Sequence, residues 1–196
     1  MKKISKVLLC ICALSVGGAG VAYAGPLSDA MEAHERKDYA TALRLYRSLA
    51  DQGNEFSQIM LGRMYDIGQG VPQDYAEAVK WYRKAADQGS AGVSYLLGYS
   101  YHFGHGVPQD YAEAVKWYLK AVDQGDEYAQ NNLGTMYRDG LGVPKDYVQA
   151  HKWFNLAASH GSHISTMNRE EIAAKMTPAQ IAEAQKLARE WKPAKP

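Results

Sequence analysis

The sequence predicts an all-α solenoid of stacked helix pairs, and three observations carry that prediction. A pattern of 36 residues returns four times, opening at Asp38, Asp74, Asp110 and Asp146. Each full unit holds two helical apolar stripes bounded by start and stop signals. Neither helix of a unit can bury its apolar stripe alone, so neighbouring units must stack to form one continuous core.

The second and third units, 74–109 and 110–145, share 21 of 36 residues. Their openings read DYAEAVKWYRKAADQG and DYAEAVKWYLKAVDQG, against DYATALRLYRSLADQG in the first and DYVQAHKWFNLAASHG in the fourth. Pro72 blocks helix before Asp74, and Asp74 is a good N-cap. Glu77 stands three residues on, as in a capping box, and Asp110 with Glu113 repeats the arrangement. Tyr75, Ala78, Val79, Tyr82, Ala85 and Ala86 form an i, i+3, i+4, i+7 stripe, with Trp81 beside it. Gly53, Gly89, Gly125 and Gly161 end these helices at the position that favours a left-handed cap.

A partner helix is predicted over about 91–103. Leu97, Gly98 and Tyr101 recur as Leu61, Gly62, Tyr65 and as Leu133, Gly134, Tyr137. A glycine inside a helix costs about 1 kcal/mol against alanine. Its return at one phase implies that a neighbouring helix crosses there and leaves no room for a side chain. Each partner helix runs into G-x-G-V-P, where glycines permit a reversal and proline stops helix until the next cap. Trp81, Trp117 and Trp153, with Leu45 in the first unit, occupy one repeat position and are expected in the core.

The ends should differ, since a solenoid needs polar caps. At the start, Ser28 is positioned to cap a short helix within 25–37. After Gly161, Arg169 and Glu170 replace the Leu-Gly pair and the G-x-G-V-P turn is lost. Thr177, Pro178 and Gln180 open a last helix through a capping box, and its stripe of Ile181, Ala184, Leu187, Ala188 and Trp191 is expected to fold over the last repeat. The expected organisation is repeats over 38–161, then capping helices and a tail over 162–196.

Residues 1–24 read as a secretory signal peptide. Lys2, Lys3 and Lys6 precede an apolar run from Val7 to Val16, and Ala22-Tyr23-Ala24 is a small-residue cleavage pattern. The expectation is export, to the periplasm or beyond, with no stable membrane insertion after cleavage. Both cysteines, Cys10 and Cys12, lie in this stretch, so the remainder can use neither a disulfide nor a thiol nucleophile. The formal charge of +1 becomes −2 without the three lysines. No basic stripe suggests a nucleic acid partner.

These motifs, L-G-x-x-Y (Leu97 to Tyr101), G-x-G-V-P-x-D-Y (Gly104 to Tyr111), A-x-x-W-Y (Ala78 to Tyr82) and A-x-x-G (Ala86 to Gly89), resemble the Sel-1-like repeat family, a branch of the tetratricopeptide-like repeats. The resemblance spans about residues 38–191. It implies a right-handed α-superhelix acting as an adaptor or scaffold for a protein or peptide; no cofactor is expected. Exported bacterial members are associated with envelope processes. Cysteine-rich relatives in Helicobacter are described as penicillin-binding or β-lactamase-like, so a cell-wall or β-lactam-directed hydrolase is the alternative. Those relatives carry a disulfide in each repeat, which this chain lacks.

No catalytic set is apparent. Asp74, Glu77, Asp110 and Glu113 recur as helix starts, and no G-x-S-x-G or P-loop spacing occurs. His102 with His105, and His160 with His163, lack a third metal ligand; no metal is expected. Variation between repeats is the remaining guide, because residues outside the stacking set are free to serve a partner. Three rows vary: Ile59, Arg63, Asp66; Tyr95, Tyr99, His102; Asn131, Thr135, Arg138. Spacings of four and three put each row on one helix face. The family resemblance implies that these helices line a concave groove, so Arg63, Asp66, Tyr95, Tyr99, His102, Asn131, Thr135 and Arg138 are the candidate partner-binding residues.

Overall fold

The structure, a computed structural model, describes residues 25–193. The signal-peptide assignment of 1–24 and the last residues of the tail lie outside that range. The described residues form α1 (Pro26–Glu35), α2 (Tyr39–Asp51), α3 (Glu55–Ile67), α4 (Tyr75–Asp87), α5 (Ser94–Phe103), α6 (Tyr111–Val122), α7 (Glu127–Asp139), α8 (Tyr147–Ser159), α9 (His163–Ala173) and α10 (Pro178–Glu190), with a 3-10 turn at Ala91–Val93 before α5. The described residues contain no strand. Consecutive helices pack on one another from α1 to α9, and α10 lies back against α8. The fold is an all-α solenoid.

The seam between one unit and the next is set by one residue. A Cβ added to Gly98 would stand 2.6 Å from Tyr118 Cδ1. At Gly62 it would meet Tyr82 Cε1 at 2.6 Å, and at Gly134 it would meet Phe154 Cδ1 at 2.5 Å. The rings of Tyr82, Tyr118 and Phe154 are fully buried there. The cost of a mid-helix glycine is offset by the burial of a whole aromatic ring, roughly 3–5 kcal/mol when such a ring is truncated.

The turns fold back on the helix that opens the same unit. Gly106 has φ +74°, and a side chain there would run into the backbone of Tyr75 at the start of α4. Gly70 and Gly142 pack in the same way on Tyr39 and Tyr111. The N–H of Asp110 donates to the Tyr101 carbonyl at 2.9 Å, repeated from Asp74 to Tyr65 and from Asp146 to Tyr137.

That bond corrects the capping-box expectation. Asp74 and Asp110 accept from the N–H of Glu77 and Glu113 at 3.0 Å, so half of the box forms. The cap N–H is already taken by a tyrosine carbonyl, and each glutamate instead pairs with the lysine three residues on, Lys80 or Lys116. The complete box forms only at Thr177 and Gln180 among the described residues.

Two further expectations change. Ser28 does not cap α1: the N-cap is Gly25, without a side-chain bond, and Pro26 begins the helix. Proline at the first position needs no donor and starts the helix one turn earlier. Trp81 and Trp153 are buried, but Trp117 is only partly covered. The fully enclosed ring is one residue further along each helix, because that is the ring that lies over the glycine.

The ends close differently. At the N-terminus the long turn is absent; Lys37 takes the left-handed conformation at φ 62° and α2 follows at once. At the C-terminus Trp191 meets Trp153 edge to face, with ring centres 5.7 Å apart, and Ala184 and Ala188 are buried against the stack. Arg169, where a leucine stands in the other units, donates to Asn155 Oδ1 at 3.0 Å.

Candidate functional site

Helices α3, α5, α7 and α9 occupy the same place in successive units, and α7 touches both α5 and α9. Tyr95 of α5 reaches Tyr128 of α7, with ring centres 5.9 Å apart. Asn131 of α7 accepts from Ser165 Oγ at 3.0 Å and Asn168 Nδ2 at 3.1 Å on α9.

This face holds most of the exposed apolar surface. Seven large hydrophobic side chains are exposed among the described residues, and six of them sit on these four helices: Ile67, Tyr99, Phe103, Tyr128, Ile164 and Met167. Their exposure runs from 38% at Tyr99 to 66% at Ile164. The seventh, Leu119, is on α6. The other set of helices covers its rings with cations instead: Lys84 over Trp81 at 3.8 Å, Lys120 over Trp117 at 5.0 Å and Lys152 over Trp153 at 4.1 Å.

The aromatic groups form a connected patch centred on α5. Tyr99 lies between Tyr95 (6.2 Å between ring centres), Phe103 (4.5 Å) and His105 (5.6 Å). His105 stacks on Tyr75 at 4.5 Å, while His102 stacks on Phe103 at 4.3 Å. The two histidine rings are thus committed to different neighbours.

The candidate residues divide by where they point. Asp66 and His102 turn inward to the buried tyrosine on the first helix of the following unit. Tyr82 Oη donates to Asp66 Oδ2 at 3.5 Å, and His102 Nδ1 lies 3.3 Å from Tyr118 Oη. Against α7 the corresponding ring is Phe154 of α8, without a hydroxyl, and Arg138 donates to both oxygens of Asp139 at 2.8 and 2.7 Å. The side chain over the ring therefore changes with what the ring offers. Asn131 is held by α9, and Thr135 Oγ1 donates back to the Asn131 carbonyl at 3.3 Å. Ile59 packs into the core. Tyr95 is half-buried, whereas Arg63 and Tyr99 are open to solvent.

Burial sets the acid–base character of the face. It pushes the Asp66 carboxyl above its ordinary range, although the Tyr82 hydrogen bond and the nearby His105 and Arg63 charges pull the other way. Burial likewise raises the Tyr82 and Tyr118 phenols and lowers His102, which is neutral at neutral pH.

Sequence reasoning did not single out Phe103, Ile67, Tyr128, Ile164 or Met167. Ile67 and Phe103 directly follow Asp66 and His102. Phe56, Tyr128 and Ile164 recur 36 or 72 residues apart at the start of their helices. That second recurrence of apolar residues was the available signal.

A linear stack of helix pairs, with identical glycine-on-ring seams and an unlike outer face, defines an α-helical repeat protein. The Sel1 repeat model matches residues 34–54, 56–90, 94–126 and 127–162, more than half of the chain, and the chain belongs to the Sel1 repeat family. Among solved structures, the chain is similar to a protective antigen present in uropathogenic Escherichia coli strains that displays an SLR fold, with 32% identity and a TM-score of 0.72 over 85% of this chain and 38% of that one. It is also similar to a Sel1 repeat protein from Oxalobacter formigenes, with 34% identity and a TM-score of 0.66 over 74% of this chain and 59% of that one. In both comparisons it spans less than two thirds of the other protein's length. No curated protein matches the sequence.

Proposed function

We propose that this chain is an exported scaffold that binds a protein partner on the face formed by α3, α5, α7 and α9, and that it has no catalytic activity of its own. The observation that carries the reading is the concentration of exposed apolar side chains: six of seven lie on this face. Tyr99, Phe103 and Tyr128 are joined through Tyr95 into one patch; a contiguous exposed apolar patch marks an interaction site, and Tyr99 and Tyr128 are residue types enriched at binding hot spots. Membership of the Sel1 repeat family supports a protein-binding role. The recurring carboxylates Asp38, Asp74, Asp110 and Asp146 are engaged in capping helix N-termini, which argues against their use as acid–base pairs. The leader-like sequence of residues 1–24 supports export.

The test is affinity capture from the cell-envelope fraction with wild-type protein and with the Tyr99→Ala, Phe103→Ala double variant. The expected result is a partner retained by the first and lost by the second at unchanged melting temperature; equal capture by both would overturn the assignment. Intact mass of the protein from the native host is expected to show a chain starting at Gly25. Purified protein is expected to leave nitrocefin and muropeptides unchanged, and turnover of either would favour the hydrolase alternative.

A further inference from the structure

The charge pattern of the face formed by α3, α5, α7 and α9 narrows the kind of partner it fits, given the binding role proposed for that face. Four rows of residues repeat across these helices: 59, 95, 131, 167; 63, 99, 135, 171; 66, 102, 138, 174; and 67, 103, 139, 175. They contain three formal cations, Arg63, Arg138 and Lys175, and three anions, Asp66, Asp139 and Glu171. Two of the three cations sit with an anion. Arg138 holds Asp139 through two bonds and Lys175 donates to Glu171 at 2.8 Å, while Asp66 accepts from the Tyr82 hydroxyl. Between these pairs stand uncharged rings and aliphatic chains.

We infer that this face takes an uncharged, apolar polypeptide segment, one that presents aliphatic and aromatic side chains to Tyr99, Phe103 and Tyr128 and carries no charge toward Arg138 or Lys175. The reason is complementarity. A partner carboxylate aimed at Arg138 or Lys175 would have to displace Asp139 or Glu171 from an existing pair, and a partner cation would have to compete with Arg138 or Lys175. Exposed ion pairs contribute little on their own, so exchanging one for another gains little, while either charge would lose hydration on docking. The apolar patch gains from water exclusion, which needs no counter-charge. The opposite set of helices, with Lys84, Lys120 and Lys152 over their tryptophans, is the surface that an acidic segment would seek.

The experiment uses the full chain and three fluorescein-labelled peptides of one length. All carry the same leucines and phenylalanines at i, i+3, i+4 and i+7; the remaining positions are glutamine, glutamate or lysine. Anisotropy is read at low and high sodium chloride. The glutamine peptide is expected to bind at least about tenfold more tightly than the other two, with less than about a twofold change between salt concentrations, since no net charge is screened. Phe103→Ser is expected to weaken it by about tenfold or more without a change in melting temperature.

Tighter binding of the glutamate or lysine peptide, with an affinity that falls steeply in salt, would overturn the inference and leave the scaffold role intact. If none of the three binds while envelope capture still depends on Tyr99 and Phe103, the inference fails alone. If capture is also insensitive to those residues, both fail.

Discussion

Two sides of helix α5, one residue apart, obey different rules. On one side Gly98 lies against the Tyr118 ring with no space for a single carbon. On the other, Tyr99 stands open to solvent among other rings. The first side is the same in three units: Gly62 on Tyr82, Gly98 on Tyr118 and Gly134 on Phe154. The second is Arg63, Tyr99 and Thr135 in turn. A position governed by contact with its own stack has almost no freedom, whereas a position that faces away from the stack can take whatever a partner requires. Repetition within one sequence therefore separates stacking from recognition.

The sharpest test places the same side chain on each side. Gly98→Val drives carbon atoms into Tyr118, and overpacking of a filled core costs about 1–3 kcal/mol. For a chain of this size that is a fall of roughly 2–12 °C in melting temperature, read by circular dichroism. Tyr99→Val is expected to stay within about 0.5 kcal/mol of wild type, as surface changes do. Equal losses at the two positions would break the distinction.

Acid provides a smaller effect that separates the sides by their chemistry. His102 and His151 are both held below the ordinary histidine value, the first by burial alone and the second by burial and then by the Arg169 charge. An unfolded chain takes up these protons near pH 6.5, while the folded chain resists until lower pH. The unfolded state thus binds more protons in that interval, and stability falls as pH drops below about 6.5. His102→Asn is expected to remove part of the fall between pH 7 and pH 5, and His151→Asn most of the remainder. A slope unchanged in the double variant would show that neither ring is held neutral.

The smallest effect concerns the end of the stack. Lys37 is the only described non-glycine residue with a positive φ. Lys37→Gly is expected to stabilise by up to about 1 kcal/mol through relief of that conformation, measured as a small rise in the urea midpoint.

Much of the stack was legible in the sequence because each part answers to a local rule. The glycine seams, the aspartate caps, the terminal capping box and the Trp191 stripe each follow from a residue type at a fixed spacing. The outward face was less legible, and α5 shows why. His102 and Phe103 differ by one residue, about 100° around the helix. Which of the two meets solvent depends on how α5 tilts against α6 and α7. That tilt is a property of packing, set by the ring under Gly98, and no local pattern reports it. The same holds for Glu77 and Glu113. Their spacing fits a capping box, but the N–H they would serve is taken by a tyrosine carbonyl of the preceding helix.

The turn glycines bear on how such a chain is assembled. Gly106 rests on the backbone at the head of α4, and Gly142 rests on the head of α6. Each reversal closes against a surface that the previous pair has already built. Contacts reach only from one unit to the next, a topology of low contact order that folds quickly. As the polypeptide leaves the ribosome, each new pair meets its template finished and waiting. Growth then proceeds like laying bricks, in the direction of synthesis.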